Sequence, residues 1–239
     1  MTGSLAMVCG ATGALGSALV SLFAGRGERV IAVAPRKDEL EDLAGGHPGA
    51  VRPEIADLTV PASVDALWTR LDSDGEVPRW LVNAVGGFAA GTVESITPDD
   101  YRFIHDLNLG SAWWSCHAAV SRMKDSNGAI VNVSSRAALV GGAGSAAYSV
   151  AKSGVIRLTE VLAEELLENG LRVNAVIPAI IDTPENRETM GEKTMEKAVP
   201  PETIADVIGF LCSDASDAIT GAAVPVYGRF PKARLPKGR

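Results

Sequence analysis

Cysteine, histidine and aromatic side chains are scarce in this chain, and each scarcity removes a class of function. Its three cysteines, Cys9, Cys116 and Cys212, are odd in number and far apart, which argues against a disulfide framework and shows no zinc spacing. His47, His105 and His117 are equally scattered, so no metal site is expected. No run of about 20 apolar residues occurs, and no basic start leads into an apolar segment with a cleavage site, so neither a membrane span nor a secretory signal is predicted. Cations are outnumbered: 22 Lys and Arg stand against 29 Asp and Glu, a net charge of −7, the wrong balance for a phosphate-backbone partner. What remains is ordinary globular composition, 46% hydrophobic and 21% charged over 239 residues, enough for one large core without a staple. These features predict a soluble, cytoplasmic protein with neither a nucleic-acid nor a membrane partner.

The patterning alternates short apolar runs with helical periods. Leu5-Ala6-Met7-Val8-Cys9 leads straight into Gly10-Ala11-Thr12-Gly13-Ala14-Leu15-Gly16 and then a helical spacing of Leu19, Val20, Leu22 and Phe23. Strand, glycine-rich turn and helix form the opening of a dinucleotide-binding unit: glycine lets backbone approach a pyrophosphate, and the helix start supplies N–H donors. Further strands are predicted over residues 29–34, 51–56, 80–84, 129–133, 171–177 and 222–226. A helix is expected from Pro61. Another opens at Thr97-Pro98-Asp99-Asp100 and runs unbroken to about Met123, and a third carries Tyr148 and ends at Asn169-Gly170. No linker divides the chain. The alternation predicts an α/β fold, a doubly wound Rossmann-type parallel sheet of about seven strands with helices on both faces, in one domain over residues 1–228. The polar stretch at 182–199 reads as a substrate lid or, alternatively, a disordered insertion. Residues 229–239 read as a basic tail, loose or crossing to a neighbouring subunit.

The end of the second strand bears on the cofactor. A carboxylate there holds the ribose 2′-hydroxyl of NAD, whereas an arginine nearby suits the 2′-phosphate of NADP. The chain reads Pro35-Arg36-Lys37, with no acid and two cations, so NADP(H) is favoured and NAD(H) remains possible. Arg36 and Lys37 could also be solvated residues opening a helix.

The stretch most suggestive of chemistry runs from Ser134-Ser135 through a glycine-rich loop to Tyr148-Ser149-Val150-Ala151-Lys152. Tyr148 and Lys152 lie four apart, so both leave one helix face. An ammonium beside a phenol lowers the tyrosine pKa, and a serine hydroxyl can donate to an oxygen that gains charge as a carbonyl is reduced. The plain alternative is an ordinary amphipathic helix surface.

With these pieces in order, the chain resembles the short-chain dehydrogenase/reductase family from Leu5 to about Gly228. The resemblance rests on the glycine turn, Asp57-Leu58, Asn83-Ala84-Val85-Gly86, Asn108, Ser135, Tyr148, Lys152 and Pro178-Ala179-Ile180-Ile181-Asp182-Thr183. It implies hydride transfer between nicotinamide and a small carbonyl or alcohol. Tyr148 would be the general acid/base and Lys152 would bond the nicotinamide ribose. Ser135 would orient the substrate oxygen, and Asn108 would hold a proton-relaying water. It also implies cofactor contacts from Gly10, Thr12, Gly13, Leu15 and Gly16, from Arg36, from Asp57 and Leu58 beside the adenine, and from Asn83, Ala84 and Gly86. Pro178 adds another, with Ile181 and Thr183 at the carboxamide. Family members pair through two long helices, implying a homodimer or homotetramer, here through those carrying Trp113-Trp114 and Tyr148. Trp113 and Trp114 could equally be core residues.

The chain departs from the family pattern at Cys9, Ala14, Ala84 and Ala179, without losing a catalytic group. Gly13 to Ser17, Gly86-Gly87-Phe88 and residues 182–187 are similar to the dihydropteridine reductase branch, whose serine is missing and whose second strand ends in an acid. Besides the carbonyl reductase reading, then, a pterin reductase and a non-catalytic NADP(H)-sensing protein stand as alternatives. Pocket shape is expected to depend on Val140, the segment 88–93 and the lid after Thr183.

Overall fold

The computed structural model describes residues 3–230; the remainder of the basic tail expected at 229–239 lies outside the described residues. Seven parallel strands form one sheet in the order β3-β2-β1-β4-β5-β6-β7. In chain order they are β1 (Leu5–Cys9), β2 (Arg29–Ala34), β3 (Val51–Ile55), β4 (Trp80–Asn83), β5 (Ala129–Val133), β6 (Arg172–Pro178) and β7 (Ala223–Val226). The helices are α1 (Ala14–Gly25), α2 (Lys37–Gly45), α3 (Pro61–Ser73), α4 (Pro98–His105), α5 (Ser111–Met123), α6 (Ala146–Glu165), α7 (Pro184–Thr189), α8 (Glu192–Met195) and α9 (Pro201–Cys212).

Alternation along the strands sends side chains to two cores, because successive residues face opposite sides of a sheet. Met7, Cys9, Ile31, Val33 and Leu81 join Leu67 and Trp68 of α3, Cys116 and Met123 of α5, and Val155 and Leu162 of α6. Ala6, Val8, Val30, Ala32 and Val82 join Leu19 and Phe23 of α1, Leu40 of α2, and Ile204 and Ile208 of α9. Each fully buried large side chain contributes roughly 1.5–3 kcal/mol, so both helical layers are firmly held. Pro53 lies in β3 at the edge of the sheet, the place where a strand tolerates a residue that cannot donate.

Strand order reverses at β1, which has β2 on one side and β4 on the other. The ends of β1 and β4 therefore diverge into the crevice where open α/β sheets bind ligands. The glycine turn enters it from β1: the Gly10 and Ala11 N–H groups donate to the Val33 carbonyl at 2.9 and 3.0 Å, which seats the turn on the end of β2. A Cβ on Gly16 would lie 2.0 Å from the Gly10 carbonyl oxygen, so only glycine lets α1 approach that turn.

One expectation changes. The helix expected to run unbroken from Thr97 to Met123 contains a π-helical segment, Asp106–Gly110, between α4 and α5. The wider turn rotates the faces on either side relative to a continuous α-helix, and Asn108 lies within it. The stretch at 182–199 is ordered into α7 and α8, and Ile181 bridges to Val199 in parallel. Thr97 does cap α4, accepting from the Asp100 N–H at 3.1 Å, and Gly170 is left-handed at φ 68° after α6.

Candidate active site

A cavity of about 650 Å³ opens at the crevice, lined by the β4 loop, the end of β5, the start of α6 and the segment from Pro178 to Met190. Ser135 follows β5 and caps a 3₁₀ turn, Arg136–Ala138, accepting from the Ala137 N–H at 3.2 Å. That turn is tied to α6 by the Ser153 hydroxyl, which donates to the Ala138 carbonyl at 2.9 Å. Ser134 fixes the same helix by donating to the Lys152 carbonyl at 2.8 Å. These bonds bring Ser135 and Tyr148 to the same cavity, which both side chains line. The Phe88 ring meets the Tyr148 ring edge-on at 5.2 Å and remains 60% exposed.

Lys152 is 3% exposed, and its ammonium donates to the Val133 carbonyl at 2.9 Å. Burial pulls its pKa down to about 8. Tyr148 shifts the other way: burial raises its pKa, and the hydrogen bond from Ser135 offsets part of that rise. Burial is the larger of the two effects on the phenol, while the Lys152 ammonium gives one of its three donors to the Val133 carbonyl.

Asn108 is 1% exposed and pinned, its amide donating at 2.9 Å to the carbonyls of Gly87 and Ile104. A Cβ on Gly86 would lie 2.9 Å from its Oδ1 and 3.0 Å from Lys152 Nζ, so these two side chains converge on one small space beside the loop. Asn108, Ser135, Tyr148 and Lys152 thus all line the same cavity, together with Leu15, Ala84, Gly86, Pro178, Ile181 and Thr183.

Other predicted cofactor residues are not among those lining this cavity. Asn83 is buried in the sheet, its amide donating to Asn132 Oδ1 at 2.8 Å and to Cys116 Sγ at 3.3 Å, so its side chain organises the sheet. Leu58 is 5% exposed inside the α3 core, which leaves only its backbone for an adenine. Asp57 accepts from the Thr59 N–H and hydroxyl at 2.9 and 2.7 Å. Gly10, Thr12 and Gly13 form the turn itself, away from the cavity lining. Arg36 and Lys37, the two cations after the second strand, are each paired: Arg36 with Glu39 at 2.6 Å and Lys37 with Glu41 at 3.5 Å. Of the residues named for pocket shape, Phe88 lines it, but Val140 and Val93 do not; Ala137, Glu185 and Met190 do.

Sequence reasoning missed the Val133 carbonyl, which no motif marks because any residue could supply it. It also missed Glu39, although the i,i+3 spacing from Arg36 on a helix was a readable signal. Burial pushes all three thiols up to about 12, so none is a ready nucleophile. Among the described residues no cluster of metal-ligating side chains occurs, and no helix is long and apolar enough to cross a membrane.

The cavity fits a nicotinamide dinucleotide on its own features. An ammonium has three donors, and Lys152 gives one to a protein acceptor, which leaves donors for a ribose. The lack of a Cβ at Gly86 leaves space beside Asn108 and Lys152.

Comparison with known proteins agrees. Residues 10–228 match the family described as Enoyl-(Acyl carrier protein) reductase. The chain is 33% identical over 95% of its length to a 3-oxoacyl-[acyl-carrier-protein] reductase, FabG, of Thermotoga maritima, spanning 98% of that protein. It is 32% identical to a D-threitol dehydrogenase of Mycolicibacterium smegmatis, covering 96% of this chain and 94% of that one. A solved structure from Burkholderia xenovorans, described as a short-chain dehydrogenase/reductase, superposes with a TM-score of 0.87 at 29% identity, covering 94% of this chain and 95% of that one. Both the geometry and these matches lead to one assignment: the chain belongs to the short-chain dehydrogenase/reductase family of NAD(P)-dependent oxidoreductases.

Proposed function

We propose that this protein interconverts a small carbonyl compound and its alcohol, with Tyr148 as proton donor and acceptor and NADP(H) as the favoured dinucleotide. The observation that carries the reading is the convergence of Ser135, Tyr148, Lys152 and Asn108 on one cavity. When bound, the dinucleotide supplies or accepts the hydride. Everything else falls to the chain. The Ser135 hydroxyl orients the substrate oxygen and donates to it as negative charge develops. Tyr148, held neutral by burial, carries its proton on the phenolic oxygen and delivers it to that same oxygen in the reducing direction. Lys152 holds the nicotinamide ribose through the donors it does not give to Val133. Asn108 Oδ1, pinned beside Lys152, anchors a proton path away from the phenol. Phe88, Ile180 and Met190 supply apolar wall around the reacting carbon and exclude water, and residues 182–199 act as the lid.

Relatives acting on a 3-oxoacyl thioester, D-threitol and galactitol share secondary alcohol and ketone chemistry, which favours a hydroxy or keto compound over a pterin. NADP(H) is favoured because Pro35 offers no charge at the strand end and the Arg36 side chain is 73% exposed beside it. The active unit is a homo-oligomer formed by a second copy on the α5–α6 face, where Trp113, Val120 and Val161 line a groove and Arg157 and Glu165 lie about two turns apart on one helix. A two-fold pairing of antiparallel α6 helices sets such opposite charges against each other. The test of the activity is NADPH and NADH oxidation with a ketone panel, and the reverse reaction with polyols, comparing wild type with Tyr148→Phe. Tight dinucleotide binding with no turnover of any substrate would instead favour a sensing role.

A further inference from the structure

Arg36, the cation that favours a 2′-phosphate, is already occupied. Its guanidinium meets the Glu39 carboxylate at two points, Nε to Oε1 at 2.6 Å and Nη2 to Oε2 at 2.8 Å. Glu39 lies in the first turn of α2, and Arg36 is the residue capping that helix. The glycine turn beside this pair is fastened to the end of β2 through Val33. Arg36 and Glu39 therefore form a two-point pair just past the end of β2, where an open α/β sheet reads the ribose 2′ group. The strand-end residue that would supply an acid is Pro35, and Glu39 brings a carboxylate to the same place from the next helix.

Resting on the dinucleotide reading above, we propose that Glu39 is the residue that sets cofactor choice, keeping the site open to NAD(H) and restraining the preference for NADP(H) that Arg36 would otherwise give. The physical reason is asymmetry between the two ligands. A ribose 2′-hydroxyl is a donor, so it can bond Glu39 while the carboxylate stays paired with Arg36. A 2′-phosphate is an anion with acceptors only: it needs the guanidinium fork that Glu39 fills, and it meets a like charge where the carboxylate stands. Arg36 holds Glu39 ionised, so the repulsion is present throughout the neutral range. Removing the charge while keeping the shape frees the fork.

The experiment measures dissociation constants of NADPH and NADH by calorimetry on the full chain, for wild type, Glu39→Gln, Glu39→Ala and Arg36→Leu. No substrate is required. Glu39→Gln is expected to tighten NADPH at least tenfold and to weaken NADH about threefold or more, with Glu39→Ala changing the ratio in the same direction. Arg36→Leu is expected to weaken NADPH at least tenfold and leave NADH within about twofold. If Glu39→Gln leaves the NADPH to NADH ratio within twofold, or weakens both equally, the pair is an ordinary surface contact and the inference is overturned. Failure of wild type to bind either dinucleotide would overturn the parent reading instead, a result distinct from an unchanged ratio.

Discussion

The Lys152 ammonium reaches the Val133 carbonyl at 2.9 Å, tying the middle of one catalytic turn of α6 to the last residue of β5. A lysine four residues from a tyrosine would ordinarily be read as that tyrosine's electrostatic partner. Here the strand takes its first hydrogen bond, and the phenol is tuned by burial and by Ser135. Lys152 thus braces α6 against the end of β5 beside the cavity.

Tyr148→Phe removes the one proton donor facing the cavity beside Ser135 while keeping the ring that packs against Phe88. Steady-state kcat/KM is expected to fall roughly 10²–10⁴-fold, the range of a positioned general acid. Dinucleotide affinity by calorimetry should stay within about twofold. A variant that keeps more than a tenth of wild-type turnover would refute the role of Tyr148.

Lys152 also leaves a signature in stability against pH. Its folded pKa of about 8 lies below the ordinary lysine value of 10.5, so between those two values the unfolded chain binds more protons and stability contributed by this group rises with pH. The buried thiols and Tyr148 are shifted upward and act in the opposite sense, but they are shared with Lys152→Met. In urea titrations wild type should therefore gain on Lys152→Met by about 2 kcal/mol between pH 8 and pH 10. A difference that stays flat over that window would count against a buried ammonium.

Gly16→Ala would place a methyl 2.0 Å from the Gly10 carbonyl oxygen and 2.8 Å from Ala11 Cα. Because both contacts are backbone, the turn or α1 must move, at about 1–3 kcal/mol for overpacking. A Tm lowered by several degrees together with at least tenfold weaker dinucleotide binding is expected. Unchanged binding would show that the turn does not hold the pyrophosphate.

Trp113 is 49% exposed on α5, whereas Trp114 packs against the α3 core, which divides the two tryptophans between surface and interior. Trp113→Glu places a charge in the middle of the α5–α6 groove. Light scattering at micromolar concentration should find an oligomer for wild type and the mass of one chain for the variant. A monomeric wild type would dispose of the pairing.

The two short sequence signatures that could be read directly were those whose geometry is local. A glycine-rich run between a strand and a helix can close in few ways, so the turn from Gly10 to Gly16 was legible, and four-residue spacing put Tyr148 and Lys152 on one face whatever lay around them. The π-helical segment at Asp106–Gly110 was not legible, since neighbouring residues there have ordinary helical preferences and the extra width is compensated by Asn108 bonding Gly87 across the loop. Asn83 had the right position for the crevice, yet its side chain turned into the sheet because Asn132 and Cys116 offered partners there.

The order of apolar runs and helical periods by itself determined that strands and helices alternate, that the sheet is parallel and covered on both faces, and that a tyrosine, a lysine and a serine belong to one stretch. Which groups those side chains bond was decided by the tertiary structure alone. Hydrogen-bond partners and desolvation depend on what packs from distant elements: the Val133 carbonyl for Lys152, the Gly87 carbonyl for Asn108, and Asn132 for Asn83. Spacing along a chain carries the direction a side chain leaves the backbone, and only the folded surroundings supply the field that sets its charge.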